Sequence, residues 1–340
     1  MALMLLHGAI MHRFLVISLL AISVQMTQTA LAQGPNELAH NRLPSDEQPS
    51  DATGLYQRAR DFFKQNNHER ALADLHAAIH VNPYYTPAYL LRGQIFAGKQ
   101  DFAAAIADFS SVIAQDASIT IAFHQRAIAY QENRDYRRAL TDFDRALALE
   151  PRNPLLLRDR AIAHRDAGNY DQAVVDYEEA MRLGFSAIDP HPLAELLFFQ
   201  GRFHQSAQTL QQVVRIKPDN RHAVLWRYLA LGKANDDRSA ARELAEQSAR
   251  AATDKRWPTA VFEYYMGKID EFSLYAATET DDEKLKTEQQ CQANFYIAEA
   301  KLLKGAKDDA ISLLQAAKSQ CATNASFFHG ANAELKRFGQ

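Results

Sequence analysis

The chain repeats itself every 34 residues. Arg58, Arg92, Arg126 and Arg160 form one ladder at that step, and Asp74, Asp108, Asp142 and Asp176 form another. Between them stand Ala71, Ala105, Ala139 and Ala173, each followed four residues later by Leu75, Phe109, Phe143 or Tyr177. A fixed period of this length marks a solenoid, in which a short supersecondary unit is stacked on copies of itself. One such unit cannot bury its apolar stripe alone, so neighbours must stack, and stability is close to a nearest-neighbour sum. Small residues where helix ridges cross allow close approach, so each repeat reads as an antiparallel helix pair. Asn66-Asn67 and Gly168-Asn169 supply turns that tolerate left-handed backbone, and Pro83, Pro151 and Pro218 stop the second helices. No alternating, strand-like segment competes. The 47% hydrophobic content with only 13 glycines in 340 residues suits a continuous helical core.

The third repeat, Phe123 to Pro151, reads FHQRAIAYQENRDYRRALTDFDRALALEP. It resembles the tetratricopeptide repeat at Phe123, Ala127 and Tyr130 in the first helix, at Ala139, Phe143 and Ala146 in the second, and at Pro151. The first and fourth repeats match about as well. The second keeps Gly93, Phe96, Ala105 and Phe109 but has Ala117 where the exit proline is expected. A weaker fifth runs from about Ala187 to Pro218 with Ser206 at the small position, and a sixth starts at Arg221. A further one spans Cys291 to Cys321, with Ala298, Gly305, Ala310 and Ala317 in place. The resemblance implies an all-α fold: a right-handed superhelix, or α-solenoid, of stacked antiparallel helix pairs. The expected organisation is four repeats over 52–187, two divergent ones over 188–254, and a helical C-terminal region over 255–340 holding the repeat at 291–322.

Ahead of the repeats, the segment from Met11 has one arginine, an apolar run from Phe14 to Val24, and the small-x-small ending Ala30-Leu31-Ala32. This is the layout of a secretory signal over 1–32, cleaved before Gln33. Met1 to Ile10 reads as an upstream start or an extension of the charged region. The 11-residue apolar run is short of the ~20 residues a span requires; retention as an N-terminal anchor is the alternative. No cysteine at the cleavage point supports lipid attachment. Residues 33–51, with Pro35, Pro44 and Pro49, read as a disordered linker. No later segment is apolar enough to cross a membrane, and the mature chain is expected in the periplasm.

The two cysteines fit an oxidising compartment. Cys291 opens the first helix of the last repeat and Cys321 closes the second, so antiparallel packing sets them within disulfide reach. Two buried free thiols are the alternative. Closing that loop contributes about 3–4 kcal/mol in the chain-entropy model. The arginine and aspartate ladders invite a catalytic reading, but an active site is made once, whereas these recur in each repeat. A helix-to-helix clamp, Arg58 with Asp74, Arg92 with Asp108, Arg126 with Asp142 and Arg160 with Asp176, explains the recurrence.

Other chemistry finds little footing. His164-Arg165-Asp166 is similar to a kinase catalytic tripeptide, but no asparagine stands five residues after Asp166 and no glycine-rich phosphate loop occurs. His76 and His80, one helical turn apart, could ligate a metal, but a solvated helix face is the simpler reading. No catalytic residue, cofactor or metal site is assigned. The formal charge of −3 and the lack of a basic stripe with interleaved aromatics speak against nucleic acid.

In tetratricopeptide domains the first helix of each repeat lines the groove. Carried onto this chain by repeat position, the resemblance selects Tyr56, Arg60, Phe63, Leu90, Gln94, His124, Ile128, Gln131, Leu155, Arg158 and Arg165. Unlike the ladders these vary between repeats, and their apolar, amide and cationic mixture suits an extended peptide or a helix. Further on, the segments Leu225–Leu231, Arg256–Leu274 and Ala293–Gly305 are similar to NlpI-type tetratricopeptide proteins of bacterial envelopes. Trp226, Trp257, Phe262, Glu263, Tyr264, Gly267, Asn294, Phe295 and Tyr296 carry that similarity. Such proteins are dimerising adaptors that bring a periplasmic protease together with cell-wall hydrolases. The resemblance implies a non-enzymatic scaffold for protein or peptide partners, with a homodimer left open. An enzyme of unrecognised type or a carrier of a small envelope ligand is the competing class.

Overall fold

The computed structural model describes residues 49–183, 189–250 and 256–340. The expected export signal over 1–32, linker residues 33–48, and the boundaries at 187–188 and 254–255 lie outside the described residues. Among the described residues every regular element is a helix. They fall into two compact units, one through Gln125 and one from Arg126 onward.

The first unit holds α1 (Ala52–Lys64), α2 (His68–Val81), α3 (Thr86–Gly98) and α4 (Phe102–Gln115). Three of these helices start where a side chain can satisfy their free amides, and α3 starts instead with Pro87 in its first turn. Asp51 accepts from Gly54 N at 2.9 Å, Asn67 from Arg70 N at 3.3 Å, and Asp101 from Ala104 N at 3.1 Å. Asp51, expected in the linker, is therefore the N-cap of α1. Ala59, Ala71, Leu75 and Ala78 are wholly buried where α1 and α2 pack. Glycine is required at position 93, because a Cβ there would stand 2.7 Å from the Phe109 ring. That contact brings α3 onto α4.

The second unit begins within α5 (Thr120–Glu132) and continues through α6 (Tyr136–Leu149), α7 (Pro154–Asp166), α8 (Tyr170–Arg182), α9 (His191–Phe199) and α10 (Phe203–Ile216). Then follow α11 (Arg221–Lys233), α12 (Asp237–Arg250), the short α13 (Thr259–Tyr265) and α14 (Glu271–Ala276), α15 (Glu283–Leu303), α16 (Lys307–Gln320) and α17 (Ser326–Arg337). Sequential neighbours pack in pairs, α7 on α8, α9 on α10, α11 on α12 and α15 on α16. Ala139, Phe143, Ala161 and Ala173 are wholly buried at these crossings. Further along, Trp226 is the centre of an aromatic cluster, with Phe198, Phe295 and Phe327 at 5.0, 5.1 and 5.9 Å between centroids.

Helix α15 departs from expectation. It runs 21 residues against 13 or 14 for the helices of the first four repeats, so Cys291 lies in its interior rather than at its start. Its first two turns extend beyond the pair because Asp282 caps them, accepting from Lys284 N and Leu285 N at 3.0 and 3.1 Å. Helix α16 is shorter, and its C-cap Cys321 comes level with Cys291. The two form a disulfide with Cα atoms 5.2 Å apart.

Candidate functional site

The backbone sets the register from which the inner surface can be read. Asn66, Gln100, Arg134, Gly168, Gly201 and Asn235 all adopt left-handed φ between 58° and 79°, each in the turn joining the two helices of a repeat. The step is 34 residues except between Gly168 and Gly201, where it is 33. A left-handed turn residue is what lets the second helix fold back.

Eight residues before these turns stand the ladder arginines. Arg58 donates from Nε and Nη2 to the two oxygens of Asp74, both at 2.7 Å. Arg92 meets Asp108 at 2.9 and 2.7 Å, Arg126 meets Asp142 at 2.7 and 2.8 Å, and Arg160 meets Asp176 at 2.7 Å twice. The aspartates are buried. A planar fork on a carboxylate is the geometry that makes such a charge tolerable inside a helix pair. The same register puts Leu193 and Thr209 in the fifth repeat, which has no clamp. It puts Arg227 in the sixth, where Nε and Nη2 reach Glu243 at 2.6 and 2.9 Å. That sixth-repeat clamp was missed in the sequence because glutamate replaces aspartate and the 33-residue step shifts the ladder. The 16-residue spacing shared with the other pairs was the available signal.

The groove residues fall on columns along the first helices. In the first unit Tyr56, Arg60, Phe63, Leu90 and Gln94 are all half-buried. Tyr56 packs edge-on against Tyr85, and Arg60 lies over its ring at 5.8 Å while donating to Gln57 at 3.2 Å. Burial pushes the Tyr56 hydroxyl up. His124, on the same column as Tyr56, is buried.

In the second unit Ile128, Leu155 and Arg158 are half-buried, and Arg158 donates to Asp159 at 2.8 Å. Arg165 is not the open groove cation that its repeat position implied. It is 8% exposed and donates to Asp166 Oδ1 at 2.9 and 2.7 Å and to the Asn324 carbonyl at 3.4 Å. Gln131 is similarly engaged, donating to Asp166 Oδ2 at 2.7 Å. The physical reason is α17, whose leading loop and first turns lie over these side chains. Extending the columns across the 33-residue step adds His191, beyond Tyr56 and Arg158, and Glu195, beyond Arg60 and Ile128. Both were missed for want of that step, and Glu195 accepts from Ser326 of α17 at 2.6 Å.

Helix α17 meets a polar, charged surface. His329 sits 3.4 Å from Asp166 and within 3.5 Å of the Tyr170 hydroxyl. Burial holds His329 below the usual imidazole range despite Asp166. Burial pushes Asp166 up, but His329, Arg165 and Gln131 outweigh it, and the carboxyl ends below its ordinary value. Further along, Lys233 Nζ lies 2.9 Å from Glu334 and 3.0 Å from Glu299. The Glu299 contact is ionic, since neither of its oxygens has a hydrogen-bond geometry. Burial pushes Glu299 up to about 7, with Glu334 adding to the effect and Lys233 opposing it. Arg337 donates to Glu334 and to the carbonyls of Phe198 and Phe199 at 2.7 and 2.8 Å.

The remaining candidates are structural in placement. Exposed His76 tilts on Phe96 at 6.5 Å, and what burial it has lowers its pKa. His164 of the kinase-like tripeptide lies 4.0 Å from clamp residue Asp176, and its neighbours Arg165 and Asp166 pair with one another. A shallow depression lined by Gln315, Lys318, Ser319, Phe328, Leu335 and Gln340 brings together no acid–base pair. No helix among the described residues is long and apolar enough to cross a membrane.

Residues 56–118 and 125–197 each match a family model described as tetratricopeptide repeat. The fold is similar to that of a tetratricopeptide repeat protein from Parabacteroides merdae ATCC 43184, with TM-score 0.52 and 14% identity over 84% of this chain and 98% of that one. It is also similar to pilF of Pseudomonas aeruginosa, with TM-score 0.51 and 16% identity over 64% of this chain and 97% of that one. At these identities the likeness speaks to the fold. The ladders, the turn register and these matches agree: residues 56–118 and 125–197 are tetratricopeptide repeats, and the fold is that of a tetratricopeptide solenoid.

Proposed function

We propose that the chain is a non-enzymatic scaffold that binds protein or peptide partners along the first helices of its repeats. One observation carries the reading. Clamp residues recur from repeat to repeat, whereas the inner columns change, as in Tyr56, Leu90, His124, Arg158 and His191. A constant frame with variable inner positions is how a solenoid presents recognition. The site of action is the periplasm, supported by the signal-like segment before Gln33 and by the Cys291–Cys321 disulfide. Similarity of the Trp226, Trp257 and Phe295 segments to NlpI-type adaptors extends the reading to joining an envelope protease with cell-wall hydrolases, and to a homodimer.

The test replaces two half-buried residues of the first unit, Arg60→Glu with Gln94→Glu. Proteins retained from envelope extract by the parent should be lost by the double variant, with circular dichroism and melting temperature unchanged. Equal retention by a folded variant would place recognition elsewhere. Osmotic-shock fractionation with N-terminal sequencing tests location, and a mature start at Gln33 in the periplasmic fraction is expected.

A further inference from the structure

Helix α17 occupies the surface that the repeats would offer to a partner. Its holders are the inner-column residues Glu195 and Phe198 and the residues beside that column: Glu195 binds Ser326, Asp166 faces His329, Lys233 faces Glu334, and the carbonyls of Phe198 and Phe199 take Arg337. Stepping by 34 and then 33 from Arg60 and Gln94 leads to Glu195, and from Phe63 to Arg165 and Phe198. The fit is that of a ligand helix. Gly330 lies against Phe295 and Trp226, where a Cβ would come within 2.7 Å, and Ala331 and Ala333 continue the small face. Phe327 anchors the start, 5.3 Å from Tyr296 and 5.5 Å from Phe295.

We propose that α17 is a tethered ligand of the second unit's inner face. A partner helix with the same surface binds there by displacing it. That surface is an aromatic anchor, a glycine–alanine stripe one turn on, and a carboxylate followed three residues later by a guanidinium. The inference rests on the scaffold reading and names the partner's chemistry.

Two features make displacement feasible. The four polar ties along α17 exchange for water when the helix leaves, and the apolar hold of Phe327, Gly330, Ala331 and Leu335 is of a kind that a partner helix with the same surface replaces. The Cys291–Cys321 bond pins the end of α16 to α15 immediately before the 322–325 loop. Opening can therefore release α17 alone while the pair beneath it stays closed. A locally opening element of this kind belongs to the low-stability end of a fold.

The experiment uses the full chain, its Gly330→Leu variant, and a fluorescein-labelled synthetic peptide of residues 322–340. Leucine at 330 collides with Phe295 and frees the site. The peptide should bind the variant about tenfold or more tightly than the wild type by anisotropy, and a Phe327→Ala peptide should not bind. Hydrogen exchange of the wild type, with its disulfide intact, should show α17 amides exchanging about tenfold or more faster than those of α15. The proposal is overturned if a folded variant leaves the peptide unbound, or if wild type and variant bind it equally. Dimerisation of the variant without peptide binding also overturns it, since the occupant would then be a second copy. Should the variant fail to fold, the exchange result decides: α17 exchanging only together with α15 sinks the idea. Neither readout involves an extract protein, so a failed capture experiment leaves this test standing.

Discussion

Phe63 and Arg165 hold the same position in their repeats, three residues before the left-handed turn, yet their surroundings differ. Phe63, in the first unit, is half-buried against its own helix pair and His68. Arg165, in the second, is buried, tied to Asp166 and to a carbonyl 159 residues away in sequence. The clamps beneath them are alike: Arg92–Asp108 in one unit and Arg126–Asp142 in the other have the same forked geometry. The repeat thus separates two tasks. Frame positions do the same work wherever they occur, and inner positions take their role from whatever covers them.

The frame half of that comparison is broken most directly through the clamps. Asp108→Ala and Asp142→Ala each leave a half-buried guanidinium without its partner, and each should cost about 2–4 kcal/mol. Denaturant melts of the two variants should agree. A marked difference would mean that the clamps are not equivalent, and a parent-like melt of both would reject the clamp as a source of stability. Glu243 is more exposed than the aspartates, at 29% of its side chain, so Glu243→Ala should cost less, about 1 kcal/mol.

The inner half is sharpened by Arg165→Ala. The substitution removes two hydrogen bonds from buried Asp166 and one from the Asn324 carbonyl, and should cost about 1–3 kcal/mol. A melting temperature equal to the parent's would mean that α17 does not depend on this contact.

How much of this was legible in the sequence follows the same division. Frame positions repeat because one packing problem recurs in each helix pair, so a shift of 34 residues exposes Ala71 and Asp74 with their successors. The clamp at Arg227 and Glu243 escaped because one residue is missing between the fourth and fifth turns and the acid is longer. Asp51 read as linker because an N-cap is defined by the helix after it, and Cys291 read as a helix start because repeat spacing cannot report that α15 begins earlier. The burial of Arg165 was not legible at all. It depends on a contact with residue 324, and no periodicity encodes a segment that folds back from outside the repeat.

Glu299 gives the second unit a pH dependence opposite in sign to that of His76 in the first, whose pKa burial lowers. The groups facing it are Lys233 of α11, Glu334 and Arg337 of α17, and Tyr265 of α13. Its pKa in the folded chain is about 7 against an ordinary 4.5, so between those values the folded chain binds more protons than the unfolded one. Stability from this group is fully present below the lower value and is lost as pH rises through the upper one. The histidines that burial holds low, His76, His164, His222 and His329, pull the other way over the same range, so the Glu299 effect is read as a difference: the parent's denaturant midpoint relative to that of Glu299→Gln should fall as pH rises from 4.5 to 7.5. A slope unchanged by that variant would assign the dependence to other groups.

The smallest effect is expected at Arg60, and it completes the contrast with Arg165. Arg60 is half-exposed; its described contacts are a hydrogen bond to Gln57 on its own helix and the face of Tyr56. Arg60→Ala gives up one exposed side-chain bond and a solvated cation–π contact, while the guanidinium's loss leaves no buried carboxylate behind. The cost should be less than about 0.5 kcal/mol, within a degree or two of the parent's melting temperature for a chain of this size. A loss as large as that of Arg165→Ala would show that the first unit's inner face is also structural, and the division between a constant frame and free inner positions would fail there.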